Sequence, residues 1–322
     1  MKIDELIGKV CKENLQLNAD EILQLLSIST QTDEFYQLLR ASNAYTRITL
    51  KNRGYVFVQI GLNAEPCSGN CLFCSMGASH YSMPEQWRKK SKEVVEEIKR
   101  IDQKKVDDIF LMTTADYSFE DYLEVVSTVK PLLDEHVRLV ANIGDFNEKQ
   151  AMLLKRAGLT GAYHVNRLRE GIDTSIDVST RLKTLDIIKQ TGLELYYCIE
   201  PIGKEHSYKE LLTEILRARN LQPEVMAVMR RVNFPGSPLS ERGMITAIEL
   251  VKIAAVTNLV VQPTRAMNLH ESEQMSLLAG VNQLYAEVGA NPRDTCDRTE
   301  LSRGISIDKA RQLFWDAAYT IL

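Results

Sequence analysis

The chain has 322 residues, 44% of them hydrophobic, enough to bury one large barrel or two ordinary domains. A formal charge of −4 supplies no basic field for a nucleic acid, and no run of about eighteen apolar residues is present to span a membrane. Six cysteines, half of them clustered, do not make a disulfide framework; they read as metal-binding thiols in a reducing cytosol.

In chain order, residues 1–50 read as a helical extension. Ile3, Leu6, Ile7, Val10 and Cys11 recur at the helical period, followed by Ala19 to Leu26 and Phe35 to Leu39. Asp4 and Glu5 in the first stretch argue against a secretory signal peptide. From Arg53 onward, short apolar runs alternate with amphipathic helices. Strands are expected at Tyr55–Ile60, Val106–Met112, Val137–Ile143, Gly161–Val165, Leu193–Cys198, Val225–Val232, Leu259–Gln262 and Leu284–Val288. Ser118, Asn147 and Ser207 stand where helix N-caps belong, and Gly158 and Gly192 where helices end. Eight strand–helix units spaced roughly 25–35 residues apart predict an α/β fold, a (β/α)8 barrel of TIM type over residues 51–322. In such a barrel the chemistry sits at the C-terminal ends of the strands.

The loop after the first predicted strand carries Cys67-Ser-Gly-Asn-Cys71-Leu-Phe-Cys74. Three thiolates at this spacing suit three corners of an iron–sulfur cube. A [4Fe–4S] cluster normally takes four cysteinates, so one iron would stay open to a small molecule. A structural zinc would need a fourth close ligand, for which His80 is the local candidate. Three unrelated thiols are the bland alternative.

The C-x3-C-x2-C pattern, with Phe73 before the last cysteine, resembles the signature of the radical S-adenosylmethionine (SAM) enzymes. That resemblance implies a [4Fe–4S] cluster on Cys67, Cys71 and Cys74, with SAM bound to the open iron through its amino and carboxylate groups. It also implies reductive cleavage of SAM to a 5′-deoxyadenosyl radical, with a reductant such as ferredoxin or flavodoxin. Full eight-strand barrels mark the biotin-synthase-like branch of the family, and the strand ends over about residues 55–295 resemble that branch. Thr113 and Thr114 stand where many members hold the SAM amino group with Gly-Gly-Glu, although a plain Thr-rich turn would read the same way. Asn166, Arg169 and Glu170 follow the polar fourth strand, whose side chains touch SAM in the family, whereas His164 reads as a core histidine. Ile202 falls in a turn like the one that packs beside adenine. Arg230 and Arg231 alternate across the sixth strand, and Arg230 is assigned to a carboxylate of SAM or substrate.

The spare cysteines bear on the subtype. Biotin synthase holds a second cluster with a cysteine at the ends of strands two, three and five and an arginine on strand seven. Only Cys198 matches here; Met112 and Thr113, Ala141 and Asn142, and Val260 and Val261 stand at the other three places. Cys198 and Cys296 are nonetheless expected to share the barrel mouth. With Cys11, Ser302 or a partner radical SAM subunit as third ligand they would hold an auxiliary cluster; otherwise they are two free thiols. The expected function is sulfur insertion into an unactivated C–H bond of a small-molecule or carrier-bound acyl chain, as in biotin and lipoyl synthases. The rival is a carbon-skeleton rearrangement or cofactor-maturation step without a second cluster, as in methylornithine synthase or the hydrogenase maturases. A non-enzymatic iron–sulfur or zinc scaffold is the reading from a different class.

Overall fold

The structure, a computed structural model, describes residues 3–11, 15–233, 236–270, 273–288 and 304–321. Three helices come first: α1 (Ile3–Cys11), α2 (Ala19–Leu26) and α3 (Asp33–Thr49). Asn18 caps α2 through a reciprocal bond pair with Glu21, and Ile22, Leu25 and Leu26 turn its apolar face inward.

Eight parallel strands then close into a barrel in sequential order. They are β1 (Tyr55–Gly61), β2 (Asp108–Met112), β3 (Arg138–Asn142), β4 (Gly161–Tyr163), β5 (Glu194–Ile202), β6 (Val225–Arg230), β7 (Ala266–His270) and β8 (Gln283–Glu287). Between them run α4 (Ser91–Arg100), α5 (Phe119–Val129), α6 (Glu148–Arg156), α7 (Val178–Thr191), α8 (Tyr208–Leu221) and α9 (Ala247–Val261). Ser118, Asn147 and Ser207 cap α5, α6 and α8, and Gly192 ends α7 in the left-handed conformation at φ 67°. The (β/α)8 barrel of TIM type read from the sequence is the fold.

One strand lies elsewhere than expected. Leu259–Gln262 is the end of α9, and the seventh strand is Ala266–His270. Every residue from Leu250 to Val261 is buried, because α2 and α3 cover the side of α9 that faces away from the barrel. A helix buried all round shows no amphipathic period, so its apolar run reads like a central strand. Val260 and Val261 are therefore helical. The strand-seven position sought for an arginine falls within Ala266–His270, which contains none.

The barrel interior has two zones. Phe57, Phe110, Val140, Tyr196, Val225 and Ala266, from six different strands, form a cluster separate from the core that packs against the helices. At the N-terminal end Asp108 is held by Arg265 at 2.9 and 3.0 Å, by the Tyr196 hydroxyl at 2.9 Å and by the Gln283 amide at 3.0 Å. This saturated buried charge closes the bottom of the barrel and leaves the C-terminal end as the opening. The helical extension packs onto the same body. Ser42 and Thr46 of α3 donate to the carbonyls of Ala279 and Gly280, and a Cβ at Gly280 (φ 84°) would meet the Ser42 carbonyl at 2.5 Å.

Candidate active site

The cysteine loop lies over the barrel mouth because loops from several strand ends bind it. The Ser68 amide and hydroxyl donate to Asp116, beyond β2. Leu72 donates its amide to the Asp173 carbonyl, and Ser175 donates to the Gly69 carbonyl, both from the stretch after β4. Beyond β6, the Leu239 amide and the Ser237 hydroxyl donate to the Leu72 carbonyl at 3.0 and 2.8 Å.

Within the loop, the Cys67 amide donates to Met76 and the Ala78 amide to the Cys67 carbonyl. The Met76 amide reaches the Cys74 sulfur at 3.5 Å. His80 Nε2 lies 3.2 Å from the Cys71 carbonyl and 2.9 Å from the Cys74 carbonyl, so it carries the proton and donates to the loop backbone. His80 is thus a brace for the loop and not a fourth metal ligand. Gly77 is required beside it, since a Cβ there would stand 2.3 Å from the imidazole.

Cys67, Cys71 and Cys74 all face one cavity in the barrel mouth. A tetrahedral zinc at about 2.3 Å from each sulfur would bring thiolates about 3.8 Å apart. Among the described residues the three sulfurs do not form a group lying within 4.8 Å of one another. This wider triangle suits three corners of an iron–sulfur cube better than one ion. Burial pushes the Cys71 thiol up to about 12; the Arg167 guanidinium opposes this and the neighbouring thiols add to it. Metal binding there must displace protons.

The same cavity is lined by Phe73, Thr113 and Thr114. The Thr114 hydroxyl accepts from the Asn63 amide at 2.8 Å, while the Thr113 hydroxyl donates to the Thr114 carbonyl. The structure puts other predicted residues elsewhere. Asn166 turns to Glu214 at 3.5 Å, and Arg169 pairs with Asp173 at 2.9 Å. Glu170 accepts from the Arg167 amide and from the Thr174 hydroxyl, which fixes the turn after β4. Ile202 lines a separate pocket with His206 and Tyr208, and Arg230 donates to the Ile245 carbonyl. His164 is buried against Asp145 and Arg181, as a core histidine should be.

Several residues of the cavity wall are not apparent from the sequence motifs. Arg167, Arg181 and Arg231 bring guanidiniums to it, and Tyr163 and Glu200 line it together with Gln59, Asn142, His270 and Tyr285. Arg231 pairs with Glu205 outside the cavity, and Arg181 lies 3.5 Å from Asp145. Arg167 faces the Phe73 ring at 6.0 Å, and its buried Nε and Nη1 have no hydrogen-bond partner. Burial works against the Arg167 charge, but Cys71, Glu200 and Glu170 around it raise its pKa. Cys198 lies under this wall, buried beside Tyr163 and Glu200, and burial drives its thiol pKa up. Cys296, Ser302 and the side chain of Cys11 fall outside the described residues.

No protein-family model matches the chain. Among curated proteins, a biotin synthase of Clostridioides difficile is 23% identical over 268 residues, covering 80% of this chain and 82% of the relative. A biotin synthase of Synechococcus elongatus is 26% identical over 313 residues, covering 87% and 90%. Of solved structures, a methylornithine synthase superposes with a TM-score of 0.85 at 18% identity, over 98% of this chain and 97% of that one. The hydrogenase maturase HydG of Carboxydothermus hydrogenoformans superposes with a TM-score of 0.81 at 18% identity, over 99% and 79%. The two solved structures show the shared fold. The biotin synthases extend the likeness over most of the sequence, cysteine loop and barrel together. The likeness to biotin synthases over most of the chain supports a relationship to the biotin-synthase-like branch of the radical SAM superfamily.

Proposed function

We propose that the chain is a radical SAM enzyme that abstracts hydrogen from a substrate held in the barrel mouth and works without a second cluster. The likeness to that family implies a [4Fe–4S] cluster and SAM, and Cys67, Cys71 and Cys74 are the residues that would hold the cluster. When bound there, the cluster would supply the electron for reductive cleavage of SAM.

The observation that carries this reading is the convergence of three thiols and an unsatisfied guanidinium on one cavity. Arg167, with two buried N–H groups unpartnered next to Cys71, is the natural receiver for the SAM carboxylate. Thr113 and Thr114 offer hydroxyl and carbonyl oxygens on the facing side. The loop bonds to the regions after β2, β4 and β6 keep the thiols fixed over the mouth. An external one-electron donor of ferredoxin or flavodoxin type supplies the reducing equivalent.

Sulfur insertion into an acyl chain requires a second cluster as sulfur donor. Among the described residues, Cys198 is the one cysteine outside the triad whose side chain is placed, and it is walled in by Tyr163 and Glu200. Met112 and Asn142 end the neighbouring strands without a thiol. Among the described residues this supplies one of the three thiols that a second cluster of the biotin-synthase kind takes, which favours the rearrangement or cofactor-maturation chemistry; Cys296, the other cysteine expected at an auxiliary site, lies outside the described residues.

The test is anaerobic reconstitution with counting of iron and sulfide. One cluster per chain, about four iron, is expected in the wild type and none in a Cys67/Cys71/Cys74 triple alanine variant. A triple variant that still holds about four iron, lost again on Cys198→Ala, would restore the sulfur-insertion reading.

A further inference from the structure

The cysteine loop is anchored in two halves. The half around Cys71 and Cys74 is held through Leu72, which bonds the Asp173 carbonyl, the Leu239 amide and the Ser237 hydroxyl, all neutral groups. The half around Cys67 is held by the Ser175 amide on the Gly69 carbonyl and by the side chain of Asp116. The Ser68 amide donates to Asp116 Oδ2 at 2.6 Å, and the Ser68 hydroxyl donates to Oδ1. Both oxygens of one carboxylate therefore grip the residue next to Cys67.

Asp116 is a fixed point because its own turn is pinned. Thr113 donates its amide to the Asn142 carbonyl at 2.9 Å. The buried Asn63 side chain bonds Thr114 twice, accepting its amide at 3.0 Å and donating to its hydroxyl at 2.8 Å. The Asp116 side chain is exposed, and no ion pair involves it among the described residues. Arg88, which lies over the ring of the adjacent Tyr117 at 4.7 Å, is taken by Glu65 and Asp121. A negative charge without a cationic partner thus stands one hydrogen bond from the backbone beside Cys67. Cluster potentials respond to the net charge around them, and an added electron is disfavoured next to a carboxylate.

We propose that Asp116 is a positioning residue for the cluster site: it clasps the Cys67 end of the loop, and its charge holds the cluster at a low reduction potential. This rests on the radical SAM reading above. A cluster of lower potential is the stronger one-electron donor once reduced. The two effects separate by chemistry. An asparagine keeps both contacts without the charge, since its carbonyl oxygen accepts the Ser68 amide and its NH2 group donates to the Ser68 hydroxyl oxygen. An alanine loses contacts and charge together.

The experiment reconstitutes wild type, Asp116→Asn and Asp116→Ala anaerobically with iron and sulfide. Iron release to a chelator is timed, and the midpoint potential is read by electron paramagnetic resonance in a redox titration, both without SAM. Asp116→Ala is expected to release iron about tenfold faster than the wild type, the size of one exposed charge-assisted hydrogen bond, and Asp116→Asn to stay within about twofold of it. Asp116→Asn should move the midpoint potential to a more positive value, a change that a merely structural contact would not produce. The potential is read on the asparagine variant and does not depend on the folding of the alanine one. The proposal is overturned if Asp116→Ala releases iron at the wild-type rate, if Asp116→Asn releases it as fast as Asp116→Ala, or if the potential of Asp116→Asn equals or lies below that of the wild type. Wild-type protein that takes up no cluster of about four iron would instead refute the radical SAM reading itself.

Discussion

Arg167 and Glu200 form an ion pair on the wall of the cavity, Nε to Oε1 at 3.3 Å, in which Arg167 Nε and Nη1 make no hydrogen bond. Arg167 looks toward Cys71 and Phe73, whereas Glu200 is held by Tyr163 on the barrel wall.

Replacing Arg167 by Met should raise the SAM dissociation constant of the reconstituted protein about ten- to hundredfold, the size of one charge-assisted hydrogen bond. Asn166→Ala should leave it within about twofold, because Asn166 turns to Glu214 and away from the cavity. Equilibrium dialysis with labelled SAM gives both numbers. A larger loss in Asn166→Ala than in Arg167→Met would contradict the assignment.

The cysteine loop should loosen when its brace is removed. His80→Ala deletes the donor shared by the Cys71 and Cys74 carbonyls, at a cost of about 1–2 kcal/mol confined to the loop. Iron release to a chelator is expected to speed up severalfold while the global unfolding midpoint changes little. If iron release is unchanged, His80 does not support the loop.

Two buried groups titrate with opposite effects near neutrality. Burial lowers the His164 pKa to about 4, so the folded protein resists protonation and stability is lost as pH falls from about 6.5 through 4. Burial raises the Glu214 pKa to about 7, so the folded protein takes up a proton first and stability is gained as pH falls from about 7 toward 4.5. Between pH 7.5 and 5 each is worth about 2 kcal/mol, and in the wild type they largely cancel. Urea unfolding should show Glu214→Gln losing stability on acidification over this range and His164→Asn gaining it. Identical pH slopes in the two variants would exclude this account.

Much of the barrel was legible because strand and helix periods differ and because cap residues such as Asn147 and Ser207 mark helix starts. The seventh strand was not, since α9 is covered on both sides and loses its amphipathic signature. At the site, the cysteine spacing pointed to the cavity that Cys67, Cys71 and Cys74 share. The polar stretch after β4 was visible as a whole, but the sequence does not say which of its side chains points inward. Arg167 reaches the cavity while Asn166 and Glu170 support the turn, a division set by loop geometry with no period to read. Glu200 did leave a signal. It stands two residues after Cys198 on one strand, so an inward Cys198 implies an inward carboxylate.

The central claim is that the Cys67, Cys71 and Cys74 loop supports reductive cleavage of SAM. It is tested most directly by anaerobic incubation of reconstituted wild type and Cys71→Ala with dithionite and SAM, followed by quantification of 5′-deoxyadenosine. The wild type should form it, and Cys71→Ala should form none while its thermal unfolding shows an intact barrel. Formation of 5′-deoxyadenosine by Cys71→Ala at the wild-type rate, or its absence from wild type carrying a full complement of iron, would contradict the account.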